Sequence, residues 1–312
     1  MSTQLCQGRA GHWRRNLKGD AAFSSFVPTD LQSIEIADDA QLAEKRTGAE
    51  LALDELRKVH AALDEEACEA FTQALLEREV AASWELSSNR MTAPPLFGMA
   101  SDDAAPFDIS TVLRAPEDAD EIGHLMESMQ YAMDPFDDLP ISRRLLTRAH
   151  FLATQGPRYE KKYPGEVRRS PNWMGEADAP LSKAKIVFPV DDDLDHALSR
   201  LEQYIHYDER HLDLVKIALA HYQFEVIHPF IDANGRMGRL LSNLMLIDAG
   251  KTPQIALPLS EALNTHASTY YGLLELVETK GAYEEWVAFF MDVIREASLQ
   301  ATEMAANATA YL

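Results

Sequence analysis

Twelve residues near the middle of the chain, His228 to Arg239 ("HPFIDANGRMGR"), bring together a histidine, an aspartate, an asparagine, two glycines and two arginines. The sequence on either side is strongly apolar ("HYQFEVI" before it, "LLSNLMLIDAG" after it) and reads as core helix. Pro229 disfavours helical backbone at His228, so the first helix should end there. "DANG" is turn chemistry, and Asp232 or Asn234 is expected to cap the second helix. The polar cluster then lies in a tight loop at a helix N-terminus, where unpaired N–H groups and the helix dipole favour an anion. Arg236 and Arg239, three apart, share one face of the first turn, and two guanidiniums beside open amides suit a polyphosphate. Gly235 would let a phosphate approach the backbone. Asp232 could hold the Mg²⁺ that such a phosphate carries, and His228 could take a proton from an attacking hydroxyl.

Taken singly, each group has a plainer reading. A histidine before proline is usually structural, a turn aspartate is usually a cap, and a first-turn arginine usually lies at the surface. Together they interrupt two core helices, and arginines at a helix N-terminus oppose the dipole unless an anion is present. A metal hydrolase fits worst, because no second histidine or carboxylate of the cluster sits at ligand spacing.

The elements that must position this loop read as mostly helical. Leu42, Leu53, Leu56, Val59, Leu63, Phe71 and Leu75 recur at helical spacing over about 41–83. "SSNRMTAPPLFGMASDDAAPFD" breaks that pattern. Residues 118–133 and 141–155 predict two more helices. Between 156 and 193 the texture changes, and "NWMGE" with "AKIVFPV" suits a β-hairpin, the one strand pair expected. Helix resumes from 193, with Gly250 as a stop, and runs through "SEALNTHASTYYGLLELVE" and "YEEWVAFFMDVIREASLQATEMAANA". Residues 1–40 read as irregular, with "FSSFVPTDL" the only ordered piece. The fold class expected is all-α with a small β-hairpin.

Composition narrows the function. A formal charge of −21 over 312 residues argues against nucleic-acid binding, which needs clustered Lys and Arg. Two cysteines, Cys6 and Cys68, exclude a disulfide framework or a cysteine zinc site. No secretory signal or membrane-spanning run is read, so a cytoplasmic setting is expected. The helical, Ala-rich C-terminus reads as the end of a fragment of a longer protein.

"HPFIDANGRMGR" resembles the Fic family signature HxFx(D/E)(G/A)N(G/K)RxxR at every position, with Ala233 an allowed variant. Similarity extends over roughly residues 20–300, through "FVPTDL", "RRSPNWMGE…AKIVFPV" and "LPLSEALNTHASTYYGLLELV". The resemblance implies a Fic-type helical domain with a β-hairpin flap that transfers AMP from Mg·ATP to a Tyr, Thr or Ser hydroxyl of a target protein, and to itself. It makes His228 the general base and Asp232 the Mg²⁺ ligand. It places Ala233, Asn234, Gly235 and Gly238 around an anion hole and has Arg236 and Arg239 grip the β- and γ-phosphates. Phe230 would anchor the loop in the core. The target would dock along the flap, about 168–190, and Asn264 and His266 would approach the nucleotide. Gly235, where a related branch has lysine, implies transfer of AMP rather than phosphate; another donor stays open.

Many Fic proteins carry an N-terminal inhibitory helix, (S/T)xxxE(G/N), whose glutamate pairs with the second signature arginine. The matching region here is "EREVAASWELSSNRMT", in which Ser83 takes the (S/T) position, Ser87 the glutamate position and Ser88 the last. Serine forms no ion pair, so Arg239 is expected to be free and the site derepressed. A slipped register would make Glu85 the inhibitor, with Ala81 and Leu86 as poor matches. The domain expectation is therefore an N-terminal helical region 1–110 with a degenerate inhibitory helix, a Fic core 111–300 and a C-terminal helical end 301–312. Removal of AMP, a non-catalytic nucleotide-binding regulatory module and a homodimer stay open.

Overall fold

The computed structural model describes residues 8–17, 22–87, 116–134, 140–175 and 180–310. Ten α-helices dominate these residues: α1 (Ala40–Ala61), α2 (Glu65–Ser87), α3 (Pro116–Ala132), α4 (Arg143–Ala153), α5 (Asp191–Tyr207), α6 (Asp213–Ile227), α7 (Asn234–Asp248), α8 (Leu259–Thr265), α9 (Ala267–Lys280) and α10 (Tyr283–Ala310). The expected hairpin is present as β3 (Trp173–Met174) and β4 (Ile186–Val187), antiparallel with Trp173 opposite Val187. No helix among the described residues is long and apolar enough to cross a membrane.

A second hairpin corrects the irregular reading of residues 1–40. Strands β1 (Gly11–Asn16) and β2 (Phe23–Pro28) pair antiparallel from Gly11–Pro28 to Asn16–Phe23. β1 carries polar residues such as Arg14 and Arg15, and β2 is buried along almost its whole length, so neither shows the alternation that marks a half-buried strand. Phe23 packs with Val187 and Val190, which puts this hairpin under the base of the flap.

Capping chemistry explains other boundaries. Asp39 accepts from Leu42 N at the start of α1, and Ser142 accepts from Leu145 N at the start of α4. Asp64 accepts from Ala67 N and starts α2, splitting the helical run that the apolar spacing alone leaves continuous. Helices α8 and α9 likewise part at His266. Gly250, at φ 63°, ends α7 as expected.

The core forms around α6 and α7, which pack on each other and carry apolar side chains buried on nearly every face. Trp286 of α10 is fully buried and donates to Ala218 O of α6 at 2.7 Å. α2 rests on α8, α3, α7 and α10. Its Glu79, fully buried, accepts from Ser260 N at 2.8 Å and Ser260 Oγ at 2.6 Å, and Arg78 forms a bidentate pair with Glu261. These contacts fix the C-terminal half of α2 against α8.

Candidate active site

The backbone of the α6–α7 loop is bent at both ends. His228 caps α6 at φ 50° and Ala233 precedes α7 at φ 62°, so two non-glycine residues sit in the left-handed region. Each conformation costs about 1 kcal/mol or more and has to be held by its surroundings. Arg168 supplies much of that hold. Its buried guanidinium donates to the carbonyls of His228 (2.7 Å), Ile227 (3.2 Å), Pro189 (2.7 Å) and Ser170 (3.2 Å), and its amide donates to Pro229 O at 2.9 Å. Burial pushes Arg168 down to about 10. Asn172 donates to the carbonyls of Phe230 and Ile231. Phe230 is buried as expected, with its ring stacked on that of His150 at 3.8 Å and nearly parallel to it.

The His228 ring is oriented by its surroundings. Its Nδ1 lies 3.0 Å from Glu225 O, so that nitrogen carries the proton and Nε2 keeps its lone pair. The ring stacks on Phe188, just beyond β4, at 4.1 Å and 6°. Burial, with the Arg168 charge in the same direction, lowers its pKa to about 4 against the smaller upward pulls of Glu225 O and Asp232. The imidazole is therefore neutral near pH 7 and able to accept a proton.

Neither expected cap is used as one. Asp232 Oδ1 accepts only from Ala233 N at 2.6 Å, and Asn234 closes a reciprocal pair with Phe230, Oδ1 to its N–H and Nδ2 to its carbonyl, both at 2.8 Å. α7 has no side-chain cap, and the amides of Asn234, Gly235 and Arg236 find no acceptor among the described residues. An open helix N-terminus is what an incoming anion requires. The Asn234 side chain thus ties the loop, while its amide stays open at the helix N-terminus. Gly238 does not face that site: a Cβ there would meet Glu225 Oε1 at 2.6 Å, so its small size serves α6–α7 packing. A Cβ on Gly235 would meet Arg239 Nη1 at 2.9 Å, so this glycine makes room for the guanidinium.

The two arginines differ. Arg236 is buried, donates from Nη2 to Tyr159 Oη at 2.8 Å, and leaves Nε and Nη1 without partners. Unpaired buried guanidinium donors are costly and call for an anion. Arg239 is also buried but engaged with α2 through two of its nitrogens: Nε donates to Ser83 Oγ (3.0 Å), and Nη2 donates to Ser83 O (2.8 Å) and Ser87 Oγ (2.6 Å). The expectation of a free Arg239 is corrected, because serine hydroxyls reach the guanidinium without charge. Both hydroxyls reach it from α2. Glu85 instead accepts from Asn264 Nδ2 at 3.2 Å, and Ser88 lies outside the described residues. His266 does not join the loop; its Nε2 meets Glu296 at 2.9 Å on a half-exposed surface.

Asp232 pairs with Lys162, with Arg236 at 3.8 Å and Arg158 at 4.0 Å. Burial raises this carboxyl, but the hydrogen bond and charge of Lys162, the Arg236 charge and the Ala233 amide together outweigh it and hold the pKa below the usual range. No group of three or more metal-ligating side chains collects among the described residues. A single carboxylate completed by substrate phosphates and water is an ordinary Mg²⁺ arrangement, so the donor set fits.

His150, Tyr159, Lys162, Arg168, Asn172 and Phe188 were not singled out from sequence. His150 had a signal: it falls four residues after Leu146 on the buried face of α4. It donates from Nε2 to Asp232 O at 3.1 Å while Nδ1 accepts from Gly165 N. Arg168 had none, since a buried arginine looks like a surface one in a single sequence.

Residues 140–246 match the Fic/DOC family. The chain is 32% identical over 158 residues to protein adenylyltransferase Fic of Culex quinquefasciatus, covering 50% of the chain and 26% of that protein. It is 35% identical over 130 residues to protein adenylyltransferase Fic of Drosophila grimshawi, covering 41% and 24%. The match thus spans about a quarter of the length of these relatives. By structure, a Fic family protein of Desulfovibrio desulfuricans superposes with a TM-score of 0.63 at 19% identity, covering 87% of this chain and 77% of that one. Fic-1 of C. elegans superposes with a TM-score of 0.59 at 15% identity, covering 86% and 73%. These two likenesses bear on fold alone.

Proposed function

The chain is a Fic family protein, and from that premise we propose that it transfers AMP from ATP to a hydroxyl of a target protein. The observation that carries the reading is the pairing of a neutral, oriented imidazole at His228 with an uncapped helix N-terminus and two unpaired donors on Arg236. His228 Nε2 takes the proton of the Tyr, Thr or Ser hydroxyl, whose oxygen attacks the α-phosphorus as the bond to pyrophosphate breaks. The amides of Asn234, Gly235 and Arg236 stabilise charge on the phosphate oxygens, and the Arg236 guanidinium holds the departing diphosphate. Asp232 would hold Mg²⁺, which supplies charge neutralisation on the phosphates when bound. The target hydroxyl approaches along the flap, where Trp173 and Met174 are partly exposed beside the buried Ile186 and Val187.

The N-terminal region, 1–110, acts in this reading as a regulatory arm on the core 111–300. Ser83 and Ser87 hold Arg239 by neutral groups that a γ-phosphate can displace, so the site is derepressed. The ATP label distinguishes the chemistry: protein should keep radioactivity from α-labelled ATP and none from γ-labelled ATP. Retention of γ-label would turn the reading to phosphate transfer, and retention of neither would leave nucleotide binding without turnover.

A further inference from the structure

Three cations crowd one phenol beside the loop. Lys162 Nζ, Arg158 Cζ and Arg236 Cζ lie 5.2, 5.4 and 5.6 Å from the Tyr159 ring centre. Two carboxylates face them. Glu121 accepts from Arg158 Nη1 at 3.0 Å, and Asp232 is held by Lys162. Three positive charges thus meet two negative ones, and Arg236 still keeps two buried N–H groups unpaired. Asp232 sits in a positive field.

The carboxylate has one oxygen to offer. Oδ1 is committed to Ala233 N at 2.6 Å, and Lys162 Nζ holds Oδ2. A divalent ion arriving there has to displace an ammonium and then face Arg158 and Arg236 at close range. Like charges at such separations, partly shielded from water, repel strongly. Phosphate oxygens would reverse that balance.

We propose that Lys162 is a resident cation of Asp232 that excludes a bare divalent ion, so that metal enters only together with the phosphates of its nucleotide. This rests on the reading of Asp232 as a metal ligand. Lys162 is well suited to leave: its side chain is about a third exposed (31%), and its flexible stem lets the ammonium turn from Oδ2 to an arriving phosphate without moving the loop. The buried, forked Arg236 lacks that freedom.

The test is Mn²⁺ binding to the full chain without nucleotide, read by electron paramagnetic resonance. K162M, which keeps the stem and drops the charge, should bind Mn²⁺ about fivefold more tightly or better than wild type. K162R should resemble wild type, and D232N added to K162M should abolish the gain. Equal or weaker binding by K162M, or a gain that survives D232N, overturns the proposal. A second readout uses the unaltered lysine: acetylation of Lys162 by an N-hydroxysuccinimide ester, followed by peptide mass spectrometry, should be severalfold faster in D232N than in wild type. An unchanged rate overturns it as well. Tighter Mn²⁺ binding by K162M in a chain that transfers no α-label would remove the AMP-transfer reading and keep the role of Lys162. Label transfer with equal Mn²⁺ affinities would remove Lys162 alone.

Discussion

Ser87→Glu changes one partner of Arg239 from a hydroxyl to a carboxylate and restores the residue type that the inhibitory pattern calls for. In the structure Ser87 Oγ is 2.6 Å from Arg239 Nη2, and the guanidinium is buried on the α7 side. A glutamate at this position can place its carboxylate against the same nitrogen. Two unit charges about 4 Å apart attract by about 4 kcal/mol at an effective dielectric near about 20. Dehydration of the carboxylate takes back part of this, leaving about 2 kcal/mol that a γ-phosphate must overcome to claim Arg239. That corresponds to about a 30-fold loss in productive ATP binding. Ser87→Ala should go the other way or stay level, because it removes one hydrogen bond that competes with the phosphate. Calorimetric ATP titration and initial rates of α-label incorporation measure both variants, with thermal melts to confirm folding. A folded S87E chain that binds ATP and labels protein at the wild-type level would refute the assignment of α2 as the regulatory element.

Other consequences follow from groups around the loop. Because burial lowers His228 to about 4, the rate of label transfer should be level from pH 8 down to about 5 and fall only below that; an acid limb near 6.5 would mean an ordinary, solvated histidine. Burial raises Glu225 from 4.5 to about 7. The folded chain keeps this proton while the unfolded chain releases it, so the contribution to stability is full below about pH 4.5 and lost as pH rises through 7. Glu225→Gln should flatten the fall in melting temperature between pH 5 and 8, by up to about 1.4 kcal/mol per pH unit for one proton; an unaltered slope would contradict it. Arg168→Met strips four carbonyls of their donor and should cost about 3 kcal/mol or more in denaturant unfolding, and label transfer should fall with it.

Much of the site could be read from the chain because its parts are local. Pro229, the "DANG" turn and the arginine pair are set within twelve residues, and the apolar helices around them leave the loop few places to go. What escaped reading comes from elsewhere in the sequence. Arg168 acts on carbonyls about sixty residues away, and Tyr159 meets Arg236 across 77 residues. The capping expectation failed for a local reason. Asn234 had a stronger local partner in the Phe230 backbone, and this leaves the helix N-terminus open. The β1–β2 hairpin was missed because β2 is buried on both faces, so a period of two never appears.

The central claim is that His228 takes the proton of a hydroxyl as AMP is transferred at this loop. Wild type and His228→Ala, each incubated with α-labelled ATP and Mg²⁺ in the presence of lysate protein, test it most directly. The account predicts label on protein with wild type and a loss of about a hundredfold or more with the alanine variant, ATP binding being retained. Equal labelling by the two chains would contradict it.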